Sequence, residues 1–78
     1  MSENPVSNLL AEIELGLTFA RMAAKADDPW LASRERAKAS QTYDGVLRLK
    51  DRIAMPPAAH ADLQRRLEEL RRAIHALS

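Results

Sequence analysis

Seventy-eight residues without a cysteine leave room for one domain and exclude a disulfide framework, a thiolate metal site and thiol redox chemistry. Twelve Lys and Arg against eleven Asp and Glu give a net charge of +1, which supplies no general attraction to nucleic acid or to an anionic membrane. The first ten residues carry an acid and no base, the wrong pattern for a secretory signal, and no uncharged run approaches the ~20 residues of a membrane span, so a cytoplasmic location is expected.

Proline divides the chain. Asn4-Pro5 and Asp28-Pro29 each set a capping side chain directly before a proline, the arrangement of N-cap and N1 in a helix, and Pro56-Pro57 makes a third break. The spacing predicts one domain over 1–78 with helices over about 5–27, 29–54 and 57–77. No stretch alternates with period two, so no sheet is expected. Short connections make sequential helices antiparallel, and the expected fold is all-α, an antiparallel three-helix bundle.

The first helix has two apolar arcs. Turning 100° per residue, Val6, Leu9, Leu10, Ile13, Leu17, Ala20 and Ala24 share one, while Leu15, Phe19, Met22, Ala23 and Ala26 share a second. One arc suffices to meet both neighbours in a three-helix bundle. The second is left over, and leftover apolar surface marks an association site, so Leu15, Phe19, Met22, Ala23 and Ala26 are the expected interaction surface. Gly16 lies at the border of the arcs, where its missing side chain lets another helix come close. A glycine there costs roughly 1 kcal/mol of helix propensity relative to alanine, so a close crossing is the expected compensation.

The second helix has a seam of Ala32, Ala39, Tyr43, Val46 and Ile53, with Arg36 and Lys50 laid along it by their methylene stems. Another of its faces carries Arg34, Lys38, Gln41, Arg48 and Arg52 with Gly45 among them, the one basic stripe in the sequence. Arg34, Lys38, Arg48 and Arg52 therefore form the alternative site, for a nucleic acid or another acidic partner. Charge is uneven along the chain: residues 1–28 set Arg21 and Lys25 against five acids, whereas residues 29–55 carry six bases and three acids. Trp30, just after the cap, is expected to plug the end of the bundle.

The third helix repeats Leu63, Leu67, Leu70, Ile74 and Leu77 at spacings of four and three, a narrow packing seam. Its solvent side offers the i,i+4 pairs Asp62–Arg66, Arg65–Glu69 and Glu68–Arg72.

Leu15-Gly16-x-x-Phe19 resembles the first-helix signature of the tetratricopeptide repeat, and Ala39-x-x-x-Tyr43 resembles the Ala-x-x-x-Phe of its second helix. The two halves stand about eleven residues farther apart than in that repeat, and the longer helices with a third beside them are more similar to MIT-type (microtubule-interacting and trafficking) three-helix modules. The resemblance implies partner helices or peptides bound in grooves between helices, without catalysis. It assigns Gly16, Ala39 and Tyr43 to helix crossings.

Catalytic patterns are missing. His60 and His75 lie on one helix at no metal-binding spacing, both glycines are inside helices and cradle no phosphate, and neither Ser33 nor Ser40 has a histidine in its helix. No enzyme activity, cofactor, metal or small-molecule substrate is expected. The expected function is protein–protein interaction, as a homodimer or as an adaptor for a helical protein, with no membrane contact. A small nucleic-acid-binding regulator is the second reading.

Overall fold

Each helix begins at a proline. A computed structural model of the protein describes residues 4–77 as three α-helices: α1 (Pro5–Lys25), α2 (Pro29–Lys50) and α3 (Pro57–His75). At α1 the Asn4 side chain accepts a 2.9 Å hydrogen bond from the Val6 N–H, and at α2 Asp28 accepts one of the same length from Trp30 N–H. Proline at N1 lacks the N–H that would otherwise go unpaired, so cap and proline together fix both starts. No strand occurs among the described residues.

The helix ends fall short of the sequence expectation. Ala26 and Asp28 are both extended, because Asp28 must cap α2 and precede a proline, and this stops α1 at Lys25. Beyond Lys50 the N–H groups of Arg52 and Ile53 bond to Leu49 and Lys50 oxygens, a tight turn that leads the chain into Pro56 and Pro57 instead of extending α2 to residue 54. α3 ends at His75, where the Ala76 N–H closes on the Arg72 carbonyl.

One apolar cluster joins all three elements into a helical bundle. Leu9, Ile13, Leu17 and Ala20 of α1 meet Ala39 and Val46 of α2 and Leu63, Leu67, Leu70 and Ile74 of α3. The seam of α3 is thus buried as its spacing predicts, with Leu77 packed at its edge. α2 and α3 touch each other least, so α1 is the element that both neighbours share. Gly16 lies at that junction. A Cβ placed on it would come 2.9 Å from Leu70 Cδ2 and 3.2 Å from Thr42 Cγ2, so both crossing helices belong to the same chain.

Three local expectations are corrected. Arg66 does not pair with Asp62 but reaches across to Glu14 at 2.7 Å, tying α3 to α1, and Arg65 pairs with Asp62 in place of Glu69. The expected Glu68–Arg72 pair does form, at 3.5 Å, and Glu68 also holds Arg71 through two hydrogen bonds of 3.0 and 2.5 Å. Trp30 does not plug the bundle: it is two-thirds exposed, with the Arg34 guanidinium 5.7 Å from its ring centroid. Glu3, counted among the acids of the first third, lies outside the described residues.

Candidate interaction face

Five large apolar side chains are exposed among the described residues: Leu15, Met22, Trp30, Leu31 and Leu49. All five come from α1 and α2, and α3 contributes none. Helical geometry explains where they lie. Taking Gly16 and Thr42 as the mutual contact, Leu15, Phe19 and Met22 fall to one side of α1, and Leu31, Lys38, Gly45 and Leu49 fall to the matching side of α2. The remaining apolar flank of each helix meets Leu70 and the rest of the α3 seam. α3 therefore covers one side of the α1/α2 pair and leaves the other open.

A groove of about 480 Å³ runs along the open side, with Leu9 and Phe19 of α1 and Lys38, Gly45, Val46 and Leu49 of α2 in its walls. Gly45 contributes to its depth: a Cβ there would meet nothing within 4 Å.

The middle of the face is organised by a buried acid. Glu35 is only 3% exposed; its Oε1 lies 3.4 Å from Lys38 Nζ, and its Oε2 has no hydrogen-bond partner. Lys38 is held in turn over the Phe19 ring, 5.4 Å from the centroid. One ammonium thus serves the carboxylate and the ring face together, a cation–π contact on top of an ion pair. Around this centre the rim is basic on the α2 side, through Arg34, Arg48 and Arg52, with Glu12 on the α1 side and Asp27 and Asp28 at one end.

The expected interaction surface is divided by the fold. Leu15 and Met22 are 45% and 48% exposed, Phe19 is half-buried against the core, Ala26 is half-buried, and Ala23 is buried. Ala39 is fully buried and Tyr43 packs on the edge of the core. Of the basic stripe, Arg34 engages Trp30 and Lys38 engages Glu35 and Phe19, while Arg48 and Arg52 are exposed. No family model, curated protein or solved structure matches the chain. The face is read from its own chemistry.

Leu31, Leu49 and Glu35 are additions that sequence reasoning missed. Leu31, Lys38, Gly45 and Leu49 do share a helical face in the sequence, but that signal is masked by the charges interleaved with it. Elsewhere, Ser40, Asp44 and His75 line a small pocket between α2 and α3 without hydrogen-bonding one another. No cluster of three or more potential metal ligands occurs among the described residues, and no helix there is long and apolar enough to cross a membrane.

Proposed function

We propose that this protein is a non-enzymatic protein–protein interaction module, an antiparallel three-helix bundle whose docking surface is the open α1/α2 face. The observation that carries this reading is that every exposed large apolar side chain of the described residues comes from α1 and α2, with Leu15, Met22, Leu31 and Leu49 on the side that α3 does not cover. Exposed apolar groups scattered singly need no explanation, but several on one side of a helix pair, with Leu49 lining the groove between the helices, do. The order of the contacts supports the helix directions: Gly16–Thr42 and Phe19–Lys38 for α1 against α2, and Glu14–Arg66 and Gly16–Leu70 for α1 alongside α3.

A groove between paired helices, with an apolar floor and charged rims, suits a helical partner whose own apolar stripe enters it. In this respect the module is similar in kind to tetratricopeptide and MIT-type bundles. It is placed in the cytoplasm on the sequence grounds given above.

The test is site-specific photo-crosslinking of the full chain in its native cells, with the photoreactive residue at Leu15 or Leu49 and, as control, at Gln64 on the exposed side of α3. Protein adducts of defined mass from Leu15 and Leu49 but not from Gln64 are the expected result. Equal adducts from all three positions, or none, would overturn the reading.

A further inference from the structure

We draw no further inference here: the strongest candidate, the open side of the α1/α2 pair that carries Leu15, Met22, Leu31 and Leu49, is the face already described, and nothing in the structure shows what covers it.

Discussion

The Cβ that Gly16 lacks would stand 2.9 Å from Cδ2 of Leu70, inside the contact distance of any two carbons. Leu70 is completely buried, so its methyls can yield only by repacking against the core around them. Gly16→Ala gains about 1 kcal/mol of helix propensity but loses roughly 1–3 kcal/mol to overpacking, and the expected net effect is a destabilisation of about 1 kcal/mol. Gly45→Ala is expected to do the opposite, stabilising by about 1 kcal/mol, because its added methyl meets nothing. Denaturant unfolding of the two variants side by side checks both signs. Adding Leu70→Ala, which opens space at the crossing, should turn the Gly16→Ala cost into a gain.

Glu35 loses its hydration on folding and recovers only one contact, to Lys38. Replacing a buried charge by an apolar side chain of similar volume is commonly neutral or stabilising, so Glu35→Met is expected to stabilise by about 1 kcal/mol, raising the melting temperature by roughly 4–8 °C. Lys38→Met alone is expected to destabilise, since it leaves the carboxylate buried without its counter-charge. In the Glu35→Met background the same change should cost less, and a double-mutant cycle measures the difference.

Leu15 and Met22 are about half exposed, whereas Phe19 packs against the core beneath Lys38. Leu15→Glu and Met22→Glu should therefore change stability by no more than about 0.5 kcal/mol, and Phe19→Glu should cost about 2 kcal/mol or more through lost packing and a half-buried charge. Melting curves of the three variants at low protein concentration separate these outcomes. Phe19 is for this reason the wrong position at which to probe the face alone.

The Arg71 guanidinium, hydrogen-bonded to Glu68, holds the Glu68 carboxyl below the usual glutamate range, with Arg72 adding to the effect. A carboxyl lowered in the folded state contributes stability that is complete above its unfolded value and is lost as the pH falls through the folded value. Both side chains are substantially exposed, so the contribution is small and screened by salt. Titration of the Glu68 side chain by NMR should give a midpoint that rises toward the ordinary glutamate value in Arg71→Gln, and rises also in high salt.

The sequence by itself determined the elements and the strongest seam. Asn4-Pro5, Asp28-Pro29 and Pro56-Pro57 fix the helix starts because capping and the missing proline N–H act within a few residues, and Leu63, Leu67, Leu70 and Ile74 declare the buried side of α3 because apolar periodicity is a property of one helix alone. The helix ends were less legible, since they depend on how the chain must turn into the next cap. What covers each face of α1 was decided by the tertiary structure. Ala23 and Leu15 belong to one arc of the sequence, yet Ala23 is buried and Leu15 half exposed, because α2 crosses at Gly16 and α3 approaches from the far side. Glu35 went unread for the same reason: a charged residue in a mixed helix reads as surface until a neighbouring helix encloses it. Leu31, Leu49 and Leu15 could join into one surface only once α1 and α2 were set side by side, since the distance between faces of different helices is not encoded in the period of either.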